Sequence, residues 1–318
     1  MITFLQKNDG VLVVLAPAFV IVVSIVSLVF GVGGEPDYST VPLLNMWLNL
    51  GSVLSWPWLN VTLSILFAIA SMLLLNRAIQ GFALIGKLTN IPMLLVALLF
   101  FAIPESYNHV FFWIEALLLI RVIFYCMNIL DEKHMNTSIF NASFLVGIMG
   151  SLMPIFLPVL ATVFGLIILT GKMNIRRFLL LIVGVTLPIY LLGIVAFLLA
   201  PEFSWRSIEV ISSKTILLQH SINAMVYLGW AIIGLIVAVV YSRSNTLREK
   251  NKWRFEILLL IGTGGAFFIG GIPSLVAATV VPLVIVVARA MALSKRVWLT
   301  RFLFYCLLAL DVINLWNL

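Results

Sequence analysis

Between Val11 and Phe30 the chain reads VLVVLAPAFVIVVSIVSLVF, twenty residues without one charged side chain. A helix of about 20 such residues spans roughly 30 Å, the thickness of the hydrocarbon core of a bilayer. The composition extends this reading to the whole chain. Of its 318 residues 63% are hydrophobic and 10% charged, with a mean hydropathy of +1.19. Water-soluble domains run at about 45–50% apolar and about 25% charged. The surplus apolar surface, which includes 22 Phe and 9 Trp, has only lipid to hide in. The fold class expected is all-α, a polytopic transmembrane helical bundle in one domain, residues 1–318. Residues 1–9 carry one lysine and one aspartate, and no small-residue cleavage pattern follows the first apolar run. That run is therefore expected to be a retained span rather than a removed signal peptide.

Cutting the sequence at its charged and proline-rich punctuation predicts about eleven spans. They fall near 10–32, 59–79, 90–104, 110–130, 138–153, 155–171, 178–200, 217–241, 255–271, 275–292 and 298–317. Those beginning near 90, 138, 155 and 255 are short, which predicts tilted, re-entrant or broken segments. Lysine and arginine test the cutting, because they should collect in alternate, cytoplasmic loops. With the N-terminus cytoplasmic, all 19 of them do so except Arg206, Lys214 and Arg121. The topology expected is N-terminus cytoplasmic and C-terminus periplasmic, in the inner membrane of a bacterium. The same scatter of basic residues along the chain argues against nucleic acid as the partner of its +7 formal charge. Cys126 and Cys306 each lie within an apolar run, so both are expected as small core residues rather than disulfide partners or metal ligands.

The first outer loop is the most informative polar segment. It opens on Gly33-Gly34-Glu35-Pro36-Asp37-Tyr38. Leu43, Trp47, Leu50 and Leu54 then recur at helical spacing, with Asn45, Asn49 and Ser52 on the opposite face. This pattern predicts an amphipathic interfacial helix within 33–58, closed by the aromatic anchors of Ser55-Trp56-Pro57-Trp58. Glu35 and Asp37 would stand beside the membrane surface, where a general base or a divalent-cation ligand works on a substrate delivered from the bilayer. An ordinary acidic loop has the same composition.

The fourth span carries Glu115 and Arg121, six residues apart and so about 240° apart around a helix. Charges within a membrane are costly, and both are expected to face the protein interior or water. Asp311, in the last span, is the candidate partner of Arg121 in a structural ion pair between the two helices. Glu115 lies nearer the outer surface, at the level of Glu35 and Asp37. In the eighth span Gln219, Asn223 and Tyr227 stack at every fourth position with His220 at their edge, and Arg206 and Lys214 supply the outer positive charge nearby. Arg206, Lys214, His220 and Asn223 are thus candidate ligands for a lipid-linked phosphate, against the simpler role of interhelical hydrogen bonding. The glycines of Gly262-Thr263-Gly264-Gly265 follow no strand and lie among apolar residues, so close helix packing is expected there rather than a nucleotide site. His134, beside Asp131 and Glu132, is expected to be solvated.

The segment from Asn76-Arg77 to about Leu199 resembles an uncharacterised family of polytopic integral membrane proteins from Bacteroidota. The likeness is carried by Phe140-Asn141-Ala142-Ser143-Phe144-Leu145-Val146-Gly147, by Ile175-Arg176-Arg177-Phe178 and by Gly184-Val185-Thr186-Leu187-Pro188-Ile189-Tyr190. The acidic exit of the first span and the amphipathic segment after it are also similar, more distantly, to the GT-C superfamily of polyprenyl-phosphate-dependent glycosyltransferases. That likeness implies catalysis by Asp37 or Glu35 on a polyprenyl-phosphate-linked sugar at the outer face, with Glu115, Arg206, Lys214, His220 and Asn223 binding substrate. The chain departs from the superfamily in its short later loops and in its two outward basic residues. A non-enzymatic accessory subunit of an envelope complex is the alternative. A transporter comes third, because the cytoplasmic halves of the spans read as uniformly apolar.

Overall fold

The computed structural model describes residues 9–30, 56–85, 89–101, 110–152, 156–199, 247–270 and 273–293, with the single positions 232, 236, 305 and 309. All nine elements among the described residues are α-helices. The first, α1 (Asp9–Phe30), holds Pro17 within its third turn. Then come α2 (Pro57–Gly81), α3 (Ile91–Phe101) and α4 (Val110–Leu130). The central helices are α5 (Met135–Leu152), α6 (Val159–Leu169) and α7 (Ile175–Leu199), and the set closes with α8 (Leu247–Gly270) and α9 (Pro273–Leu293). Helix α2, residues 113–130 of α4 and residues 175–195 of α7 are each long and apolar enough to cross a membrane. Nine of the predicted spans coincide with these helices. Those near 217–241 and 298–317, and the 33–55 stretch of the first outer loop, lie outside the described residues, apart from the four single positions.

Local sequence explains where the helices start and stop. Pro57 opens α2 at a position whose missing N–H would have no helical partner, and the preceding Trp56 is extended. Three ends turn through the left-handed region: Ala83 (φ 48°), Glu132 (φ 59°) and Gly171 (φ 65°). After α2, Leu84 N–H donates to the Ile79 carbonyl and Ala83 N–H to that of Gln80, the paired bonds of a Schellman cap. After α4, Lys133 and Glu132 repeat the pattern onto Asn128 and Ile129. Asn174 begins α7 by accepting the Arg177 N–H on its side chain at 2.9 Å.

Small residues set the closest packing. A Cβ added at Gly147 of α5 would lie 2.5 Å from both Pro188 Cγ and the Val185 carbonyl oxygen of α7. Gly184 of α7 in turn sits against Ser143 and the Phe140 carbonyl of α5. Two of the three stretches quoted for the resemblance, Phe140–Gly147 and Gly184–Tyr190, are thus one another's packing partners. Across the molecule Gly262 of α8 abuts Thr162 of α6, whose hydroxyl donates to the Leu258 carbonyl at 3.1 Å. Gly262, the first glycine of its run, therefore serves close packing. Cys126 is fully buried in the core, with Ile120, Ile123 and Met127. Helix α7 instead exposes Ile175, Leu179, Tyr190 and Leu198 around much of its surface, an arrangement suited to lipid.

One expectation is corrected: the span predicted near 255 is not short, because α8 begins at Leu247. Arg248, Glu249, Lys250 and Lys252 are good helix formers, and the first glycine after Leu247 is Gly262, so the helix runs 24 residues where a short span near 255 was predicted. Helices α3 and α6 do stay short, at 11 residues each, or about 16 Å.

Candidate functional site

Two polar places stand out among the described residues, and they lie in different parts of the bundle. The first is an end of the molecule. Phe82, just past α2, and Phe124 meet edge to face at 5.0 Å, which sets the end of α2 about 9 Å short of the end of α4. The exposed ion pair of Lys172 with Glu132 joins the α6–α7 turn to the α4–α5 turn. Lys252 of α8 donates to the Ala83 carbonyl at 3.2 Å. The turns after α2, α4 and α6 and the start of α8 therefore share one end, called here the turn end.

A buried polar network occupies that end. Asn90 Oδ1 accepts from Asn76 Nδ2 at 2.6 Å and from Gln80 Nε2 at 3.0 Å, tying the last turn of α2 to the start of α3. Thr89 Oγ1 accepts the Ile91 N–H and so caps α3. One turn into the bundle, Arg289 Nη1 of α9 donates to Glu256 Oε1 of α8 at 2.8 Å. Both side chains are almost fully buried, at 2% and 1% exposure. The guanidinium carbon lies 3.7 Å from the centre of the Trp253 ring, so the cation is sandwiched between a carboxylate and an aromatic face. Lys252 and Glu256 are four residues apart and share one face of α8. Trp253, Glu256 and Arg289 were missed as a site because each sits at the margin of a predicted span and was counted with a loop or an apolar run. The legible signal was an acid on one predicted span and a base on its neighbour at matching depth.

The second place is Glu115. It lies six residues into α4 from the other end, is 2% exposed, and among the described residues its Oε2 has no hydrogen-bond partner. Fifteen residues separate it from Leu130, or about 22 Å along the helix. The prediction that Glu115 faces inward holds. A carboxyl in this setting can exchange a hydrogen bond with a ligand or hold a proton or a cation. Among the described residues it has no second acid or base with which to form a catalytic pair.

Arg121 does not face the interior. It is exposed near the middle of α4, with Phe124 38% exposed a turn further on. Six residues of separation turn it away from Glu115, and the interior side of α4 at its level is filled by Leu119, Val122 and Ile123. Among the described residues it has no ion-pair partner. Glu35, Asp37, Arg206, Lys214, His220, Asn223 and Asp311 lie outside the described residues. His134 is exposed, as expected. No group of three or more His, Cys, Asp or Glu converges as a metal site among the described residues.

These features define a class, an all-helical chain with helices fit to span a membrane. Comparison with protein families, curated proteins and solved structures finds no match to this chain.

Proposed function

We propose that the chain is a multi-pass protein of a bacterial inner membrane that acts at its outer face on a polyprenyl-phosphate-linked sugar, as a GT-C-like transferase. The topology in this reading has about eleven spans, with the N-terminus cytoplasmic and the C-terminus periplasmic. It is supported by the gathering of exposed basic residues, including Arg77, Lys133, Arg176, Lys250 and Arg254, on the turn end, which is then the cytoplasmic end. The observation that carries the substrate reading is Glu115. A buried carboxyl oxygen without a partner is expensive to keep in a helix bundle and points to a ligand that satisfies it. It lies in the outer half of α4, on the side of the membrane where Glu35 and Asp37 leave the first span. In this mechanism Asp37 or Glu35 activates the acceptor hydroxyl or holds a divalent cation, Arg206, Lys214 and His220 hold the lipid-linked phosphate, and Glu115 and Asn223 orient the sugar.

The test is mass spectrometry of lipid-linked and envelope glycans in a deletion strain and in the same strain carrying the intact gene, Asp37→Ala or Glu115→Gln. The reading requires one truncated species in the deletion, reproduced by both variants at normal protein abundance. Unchanged glycan profiles would sink it. The second reading, a non-enzymatic subunit of an envelope complex, draws on the Glu256–Arg289 pair, which clamps two helices without offering an open group. Unchanged glycans together with co-purifying membrane proteins would favour that reading.

A further inference from the structure

Ser71 Oγ of α2 donates to the Trp113 carbonyl of α4 at 3.4 Å, and the Phe82 and Phe124 rings meet at 5.0 Å. Each pair is 42 positions apart, so α2 and α4 run side by side, parallel and in one register. On that register Arg77 stands beside Leu119, and Arg121 lies two residues, about 3 Å, further along. Both arginines are exposed, and neither has a hydrogen-bond or ion-pair partner among the described residues. Ser71 and Phe82 mark the side of α2 that meets α4, and Arg77 lies about 120–140° back from it around the helix. Trp113 and Phe124 mark the facing side of α4, and Arg121 lies about 60–80° forward of it. On parallel neighbours a backward turn on one and a forward turn on the other lead to the same flank. With the axes about 8–10 Å apart, the two Cα atoms stand roughly 10–12 Å apart, a gap that two arginine side chains close around one phosphate.

We propose that Arg77 and Arg121 together bind the phosphate of an anionic membrane lipid whose acyl chains lie along the exposed leucines of α2. The flank changes along its length as a lipid does. Leu66 and Leu73, 58% and 46% exposed, share the outward stripe of α2 with Arg77. That stripe passes from leucine to arginine toward the turn end, over about 16 Å from Leu66 to Arg77. Helix α2 and residues 113–130 of α4 are each long and apolar enough to cross a membrane, so the leucines suit hydrocarbon. Both arginines lie within about a turn of the level where α2 ends, close enough for their long side chains to reach headgroups. Their planar, forked donors match phosphate oxygens, and basic pockets between spanning helices are suited to anionic headgroups. A free anion would use the arginines and leave the leucine stripe unmatched. The proposal depends neither on the transferase reading nor on which leaflet the turn end faces.

The test titrates the full-length protein in detergent with phosphatidylglycerol, with phosphatidylcholine of the same acyl chains and with glycerol phosphate, and counts bound molecules by native mass spectrometry. Phosphatidylglycerol should bind at least about fivefold more tightly than phosphatidylcholine, and Arg77→Gln and Arg121→Gln should each weaken it about fivefold. Because both side chains hold one phosphate, the double variant should lose less than the product of the two single losses. Arg176→Gln, on the exposed start of α7, should change the affinity by less than about twofold. Equal binding of the two lipids, or an equal loss in Arg176→Gln, would overturn the proposal in favour of diffuse attraction to positive charge. Displacement of the lipid by an equimolar amount of glycerol phosphate would overturn it in favour of a free-anion site. A second measurement needs no variant. In the unaltered protein phosphatidylglycerol, and not phosphatidylcholine, should shield Arg77 and Arg121 from phenylglyoxal, as mapped by peptide mass. Equal modification of both arginines with and without the lipid would count against the site even if the variants fail to fold.

Discussion

Glu256 and Arg289 lie 33 positions apart in the chain and meet at 2.8 Å, buried, with the Trp253 ring on the open side of the guanidinium. The contact joins α8 to α9 at the level where α8 also grips the α2–α3 turn through Lys252. Removing one partner leaves the other charge buried. Arg289→Ala should therefore destabilise the protein by about 3–5 kcal/mol, and Glu256→Ala by a similar amount. A double replacement by apolar residues of similar volume, Glu256→Leu with Arg289→Met, should recover most of that loss. Thermal unfolding in detergent, followed by aggregation or by thiol exposure of Cys126, would measure it. A double variant no better than the singles would show that the pair is not the relevant unit.

Trp253→Phe keeps an aromatic face but a smaller one. The expected loss is about 0.5–2 kcal/mol, the range for a desolvated cation over a ring, and Trp253→Leu should cost more. The same unfolding assay compares them, and equal stability of all three would remove the ring from the account.

Gly147→Ala places a methyl group 2.5 Å from Pro188 Cγ and from a carbonyl oxygen of the neighbouring helix. Backbone must move to admit it, at about 1–3 kcal/mol. Gly10→Ala, near the start of α1, meets nothing within 4 Å and should be neutral or stabilising by up to about 1 kcal/mol. The contrast between the two separates helix propensity from helix packing.

Ala83 holds φ 48° in the Schellman turn after α2. Ala83→Gly should relieve a strain of roughly 1 kcal/mol, while Ala83→Val should destabilise, since a branched side chain resists the left-handed region. A lower melting point for the glycine variant would show that the turn is held by something other than its backbone conformation.

Asn90→Ala removes the acceptor shared by Asn76 and Gln80. The buried Asn76 amide would lose this acceptor and the half-buried Gln80 amide its shortest one, at about 1–3 kcal/mol, and Asn90→Asp should be better tolerated because it keeps an acceptor. Hydrogen exchange of the α2–α3 turn would report the local loosening directly.

Much of this architecture was legible from residue order. Apart from α8, which begins eight residues early, the apolar runs gave their helices to within a few residues wherever they are described, because a bilayer demands length and apolarity and little else. Gly262 and Cys126 were also readable, since small residues among apolar neighbours have few other uses. Direction was not legible. Lys252 and Arg289 read as loop charges, and whether Arg121 faces the interior or water stayed open, because hydropathy measures how much charge a segment carries and not which way it points. The side of α4 that meets protein is set by α2, α5 and α9 packing around it, and none of those neighbours is encoded near Arg121.

The sequence by itself determined that the described segments are helical and that the chain is rich in apolar residues, because those properties are sums over local composition. Tertiary structure alone decided that Phe140–Gly147 packs on Gly184–Pro188, that Glu256 finds Arg289, and that Glu115 is buried while Arg121 is not. Each of those is a contact between segments far apart in the chain, settled by which surfaces fit closely enough to exclude lipid.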